Sequence, residues 1–268
     1  MNFISRIFSI LTVGLIAALP ATAADNNTEY PGRVKYPDVK FIELDDLHKQ
    51  KNDVIIIDAR SSYEYETLRI KGALNISLSS KTFGEELEKI RKDTSKPIVF
   101  YCNGKTCMKS YKAVRQAKFF KIDDVMAFDA GIFDWAKSYP GEAVLLGESP
   151  INPKNLISKS ELKKHMLKPA DFGRRVGSGT MVLDVRDLRQ REAIGFFPGY
   201  ERRVGLDDGK KLLKYINRAK SQGKTLLVYD EVGKQVRWLQ YTLEKAGLKS
   251  YYFMDGGAKG YYEMLAQP

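Results

Sequence analysis

The chain has 268 residues, of which 43% are hydrophobic and 29% charged, with 44 Lys and Arg against 33 Asp and Glu for a formal charge of +11. That length allows one large domain or two small ones, each with a proper core. The basic balance favours anionic partners such as a small anion, an acidic protein or a membrane surface. Nucleic acid is excluded as an expectation, because the lysines are scattered among acids and no recognition motif is present.

The first residues carry Arg6, an apolar stretch from Ile7 to Leu19, and then Pro20-Ala21-Thr22-Ala23-Ala24-Asp25. A basic start, a short apolar run and an Ala-x-Ala site are the parts of a secretory signal peptide, which places a signal at residues 1–24 with cleavage after Ala23 or Ala24. The run is shorter than the roughly 20 apolar residues of a spanning helix. The expectation is a periplasmic or otherwise exported protein with no stable membrane insertion after cleavage. Its two cysteines, Cys102 and Cys107, are too few and too close in sequence for a disulfide scaffold. Their presence in an exported chain points to chemistry.

An internal repeat organises the rest. Val54-Ile55-Ile56-Ile57-Asp58-Ala59-Arg60 matches Met181-Val182-Leu183-Asp184-Val185-Arg186, each an apolar strand running into Asp-x-Arg. Lys71-Gly72-Ala73 matches Pro198-Gly199-Tyr200, and Ile98-Val99-Phe100-Tyr101-Cys102 matches Leu226-Leu227-Val228-Tyr229-Asp230. Met126-Ala127-Phe128-Asp129-Ala130-Gly131 matches Tyr252-Phe253-Met254-Asp255-Gly256-Gly257. Short continuous apolar runs alternating with amphipathic stretches predict a parallel sheet covered by helices, so the fold class is α/β, repeated. A helix is expected from Lys234 to Ala246, with Val236, Leu239, Leu243 and Ala246 on one face and Gly247 as its stop. Domains are expected at 38–140 and 155–268. The turn-rich stretch 141–154 between them reads as a linker.

The segment Cys102-Asn103-Gly104-Lys105-Thr106-Cys107-Met108 follows a buried-strand pattern and precedes a helical one. A sulfur there lies where loop N–H groups and a helix dipole converge, which stabilises a thiolate. Between Cys102 and Ile122 stand six cations and no acid: Lys105, Lys109, Lys112, Arg115, Lys118 and Lys121. Most of these belong to a solvated helix face. Lys105, inside the loop, is the one expected to act. Asn103, Gly104, Lys105, Thr106, Cys107 and Met108 are expected to supply the N–H groups that hold a substrate, although Gly and Asn also suit a simple strand-to-helix turn.

Taken together, strand-Asp58-Ala59-Arg60, Gly72-Ala73-Leu74-Asn75-Ile76, strand-Tyr101-Cys102 with its Gly loop, and Asp129-Ala130-Gly131-Ile132-Phe133-Asp134-Trp135 resemble a rhodanese domain, the thiosulfate sulfurtransferase family. Residues 155–268 resemble a second, degenerate copy. The resemblance implies tandem domains, each a doubly wound, mostly parallel sheet flanked by helices. It also implies a catalytic Cys102 that carries sulfane sulfur as a covalent persulfide with no separate cofactor and no metal. The partners it implies are a small anionic sulfur donor such as thiosulfate and a thiol, cyanide or protein acceptor. The loop departs from the family pattern, since Gly104 comes two residues after the cysteine and Ser110 and Ala113 come later than usual. It is about two residues longer. No arginine closes it, which disfavours the phosphatase and arsenate-reductase chemistry of relatives with longer loops.

Cys107 is expected to modulate Cys102, through a disulfide or by attack on its persulfide, and to be dispensable for accepting sulfur. At the matching slot the second half has Asp230-Glu231, which cannot carry sulfur. Asp230 is expected to satisfy the N–H groups of its own loop, leaving that domain for partner docking, cleft completion or stabilisation. Asp58, Arg60, Asp184 and Arg186 read as structural pairs. His48 and His165 lack ligand spacing, and Trp135 and Trp238 read as core. Two other readings stay open: a thiol-disulfide protein using the cysteine pair, and a non-catalytic binding module.

Overall fold

The structure is a computed structural model that describes residues 29–191 and 195–267. The expected signal at 1–24 lies outside the described residues. Two parallel sheets flanked by helices make an α/β fold.

The first sheet has the order β3-β1-β4-β5, formed by β1 (Ile55–Asp58), β3 (Leu74–Asn75), β4 (Ile98–Tyr101) and β5 (Val125–Phe128), all parallel. β2 (Leu68–Ile70) pairs antiparallel with β6 (Ala143–Leu145) in a separate ribbon. Continuous apolar strands arise because both faces are covered. Ile56, Val99, Tyr101 and Phe128 enter one core cluster, whereas Ile57, Ile98, Phe100 and Ala127 enter the other. Successive side chains point to opposite faces, so one short run feeds two cores.

The second sheet, in the order β7-β11-β10-β8-β9, is formed by β7 (Met166–Leu167), β8 (Thr180–Asp184), β9 (Glu201–Arg203), β10 (Thr225–Tyr229) and β11 (Tyr251–Met254), again all parallel. β8, β9, β10 and β11 take the places of β1, β3, β4 and β5. Even the outer edge agrees, since Phe41 makes a parallel bridge to Ala127 where β7 pairs with β11. In both sheets the chain leaves one strand to one side and returns on the other, so the carboxyl ends of β1 and β4, and of β8 and β10, flank a crevice.

Each crevice is braced by a buried ion pair. Arg60 donates from Nε to Asp58 Oδ1 at 2.8 Å and from Nη2 to Asp58 Oδ2 at 2.5 Å, and both side chains are fully buried. Arg186 repeats the fork on Asp184 at 2.9 and 2.8 Å. A buried charge is tolerated only when paired and hydrogen-bonded, so these residues are structural. Trp135 and Trp238 are core residues, 0% and 2% exposed.

Two expectations shift. The stretch 141–154 is not wholly a linker, because β6 buries Ala143, Val144 and Leu145 against the first unit. The expected helix at 234–246 runs from Val236 to Lys245 and sends Trp238 and Tyr241 into the first unit's core cluster. There Phe133 stacks on Trp238 at 5.4 Å, and Tyr63 Oη lies 2.8 Å from Thr242 Oγ1. The two units therefore share a packed boundary.

Candidate functional site

The cysteine loop runs from the end of β4 to the helix Lys109–Phe119. The next crossover clamps it from behind: Ile132 N donates to Cys102 O at 3.0 Å. Gly131, at φ +69°, makes that approach possible, since a Cβ there would lie 2.4 Å from Gly104 N and 2.7 Å from Cys102 O. From the front the loop is held through Asn103. Its Oδ1 accepts from Arg60 Nη1 at 3.2 Å and its Nδ2 donates to Glu64 Oε1 at 3.2 Å. Glu64, itself 2% exposed, closes a capping box with Ser61 at the start of the helix Ser62–Thr67 and accepts from Lys109 Nζ at 3.3 Å. Burial alone would raise the Glu64 carboxyl. The Lys109 and Arg60 cations, the Ser61 N–H and the Asn103 amide outweigh it and hold the group below its ordinary range.

The two cysteines have opposite environments. Cys102 is fully buried, and its thiol donates to Cys107 O at 3.3 Å and lies 3.7 Å from Ser110 Oγ. Burial, reinforced by the neighbouring Cys107 sulfur, pushes that thiol well up. Cys107 is only half-buried. The adjoining Cys102 thiol holds the Cys107 thiol below its ordinary range against the opposing effect of burial, helped by the backbone N–H groups of Lys109 and Asn103 and the Lys109 ammonium. The thiolate environment expected at Cys102 thus surrounds Cys107. The reason is depth: Cys102 is fully buried, and Cys107, five residues on, lies nearer solvent.

A cleft of about 730 Å³ opens between the two units above this loop. Cys107, Asn103, Thr106 and Met108 line it, whereas Cys102, Gly104 and Lys105 do not. Lys105, expected to act on substrate, turns to Glu29 and Asp134 instead. Arg115 pairs with Asp38. Of the six cations on this segment only Lys109 reaches the cleft, because helical spacing distributes the others around a solvated face. The second unit contributes Asp187, Asp207, Glu231 and Lys234 to the opposite wall. The strongly basic field expected at the cysteine is therefore absent from the cleft lining.

The matching loop of the second unit is filled by its own side chain. Asp230 Oδ1 accepts from Val232 N at 3.0 Å and from Gly233 N, and Oδ2 accepts from Gln235 N and from Val236 N at 3.1 Å. Ala258 N donates to Asp230 O at 2.8 Å, and Gly257 at φ +59° allows the approach, as Gly131 does in the first unit. The Asp230 carboxylate satisfies the N–H groups of its own loop, the arrangement expected of it. Glu64 and Lys109 were not singled out as site residues by sequence. The signal for Glu64 was there, since Ser61-Ser62-Tyr63-Glu64 is a capping-box pattern directly after Asp-x-Arg.

Residues 42–138 match the family model of the rhodanese-like domain. The tRNA uridine(34) hydroxylase of Wigglesworthia glossinidia brevipalpis is 37% identical over 89 residues, covering 32% of this chain and 27% of that protein. The tRNA uridine(34) hydroxylase of Bdellovibrio bacteriovorus is 28% identical over 101 residues, covering 37% of this chain and 28% of that protein. The chain spans under a third of the length of these curated relatives. Among solved structures, a thiosulfate sulfurtransferase from Pseudomonas aeruginosa is 18% identical with a TM-score of 0.34, covering 85% of this chain and 45% of that one.

Proposed function

From the rhodanese-like domain that this chain carries over residues 42–138, we propose that it is a sulfurtransferase in which a cysteine of the loop Cys102–Met108 holds sulfane sulfur as a persulfide. The observation that carries this reading is the cysteine loop itself, set at the switch point of a parallel sheet and opening on an interdomain cleft. A loop thiolate attacks the outer sulfur of a donor such as thiosulfate. A new S–S bond forms, the old one breaks, and sulfite departs with the bonding electron pair. The persulfide then gives its outer sulfur to cyanide, a small thiol or a protein thiol, and the thiolate is restored. In this reading the second unit is a degenerate copy that walls the cleft without carrying sulfur, since Asp230 fills its nest. Residues 1–24 would direct the chain out of the cytoplasm.

Reduced protein incubated with thiosulfate is expected to gain one sulfur atom by intact mass and to return it as an equivalent of thiocyanate on addition of cyanide. The double variant Cys102→Ser with Cys107→Ser should take up none. Loss of two hydrogens without sulfur uptake would replace this reading by a thiol-disulfide role.

A further inference from the structure

We infer that Cys107, and not Cys102, is the thiol that meets the sulfur donor, and that Cys102 is a positioning residue which donates its buried S–H to the Cys107 carbonyl and so holds the stretch of loop that carries the Cys107 sulfur. The assignment rests on the sulfurtransferase reading only for the identity of the ligand. Three geometric observations carry it. Cys107 lines the cleft, while Cys102 is 0% exposed and does not. Cys107 stands two residues ahead of the helix Lys109–Phe119, at the loop-to-helix start where the first N–H groups and the helix dipole favour an anion. The one cation of the segment that reaches the cleft, Lys109, is anchored beside Cys107 by the buried Glu64.

Donor access decides between the two sulfurs. A thiolate must approach the sulfane sulfur along the S–S axis of the donor, which requires open space on its far side. Cys107 has the cleft there, whereas Cys102 has the Cys107 carbonyl and Ser110. The Cys107 thiolate attacks the outer sulfur of thiosulfate, sulfite leaves with the electron pair, and the Cys107 persulfide remains as an anion under the same N–H groups. Cys102 keeps its proton throughout. Across the cleft the charged groups that line it are Arg186, Asp187, Asp207, Asp230, Glu231 and Lys234, with Glu64 and Lys109 on the near side.

The assignment is tested by alkylating the full chain with substoichiometric iodoacetamide across pH 5 to 9, mapping the label by peptide mass, and loading parallel samples with thiosulfate. Label is expected on Cys107, with a rate midpoint below that of an ordinary cysteine thiol. Cys102→Ala should still load one sulfur, on Cys107, with its alkylation midpoint raised, because the Cys107 carbonyl loses the donor that holds this stretch of loop in place. Cys102→Ser, which restores a donor, should bring the midpoint back. Cys107→Ser should neither label nor load while folded. First labelling at Cys102, or a folded Cys107→Ser variant that loads sulfur as the parent does, would overturn the assignment. Label on Cys107 with no sulfur uptake in the parent would uphold the reactive thiol and overturn the sulfurtransferase reading instead.

Discussion

At the scale of single residues, Glu64 ties the site together. Its two oxygens receive Asn103, Lys109 and Ser61, and it stands next to the Arg60 fork. Its carboxyl titrates below its ordinary range in the folded chain, so the unfolded state binds the proton more tightly. The stability it contributes is therefore present above the unfolded value of about pH 4.3 and is lost as pH falls through the lower folded one. Glu64→Gln keeps the shape and removes the charge. We expect it to cost about 2 kcal/mol at neutral pH, in the range of hydrogen bonds to charged groups. Denaturant titrations of parent and variant at a series of pH values should show that gap constant above pH 5 or so and closing below about pH 4.

Among elements, the strand-loop-helix units of the two sheets make a controlled comparison. Gly131 and Gly257 occupy equivalent bends with positive φ, each facing the loop that follows the central strand. Alanine at either is strained by roughly 1–2 kcal/mol from backbone conformation alone, before its Cβ displaces the facing loop. The consequences for chemistry should differ. Gly131→Ala presses on Gly104 N and Cys102 O and so should slow thiol alkylation as well as lower the unfolding midpoint. Gly257→Ala presses on Asp230 O and should lower the midpoint with little change in thiol reactivity. Equal slowing by both variants would show that the loops are not independent. The Asp230 loop gives its N–H groups to its own carboxylate, whereas in the cysteine loop the Cys102 thiol donates to the Cys107 carbonyl, so the same element is braced differently in the two units.

Across the whole molecule, the helix Val236–Lys245 joins the two units. Trp238 belongs to the core cluster built around β1 and β4, stacks on Phe133, and lies 4.9 Å from the Arg60 guanidinium. Trp238→Ala is expected to cost about 3–5 kcal/mol, the usual range for a buried aromatic. Because the side chain bridges both units, calorimetry should show one cooperative transition in the parent and two separable ones in the variant. A single transition in both would mean that the remaining boundary, including Tyr63 with Thr242, suffices to couple them. The cleft above the cysteine loop depends on this boundary, since half its lining comes from the second unit.

Local pattern was enough to read the α/β class, the paired strands and the Asp-x-Arg brace, because each rests on periodicity and on residues near one another in the chain. The self-satisfied loop of Asp230 was legible too, through a carboxylate standing where the repeat pairs it with a cysteine. Which cysteine lines the cleft was not legible. Cys102 and Cys107 are alike as letters, and the sequence places both in one loop. Only folding puts Cys102 beneath the loop and Cys107 at the cleft, and depth from water sets the cost of ionising a thiol. The same holds for the lysines. Six cations in a row of sequence predict a basic site, but their direction is set by the helix and by acids from distant segments, which leave Lys109 alone to meet the cleft.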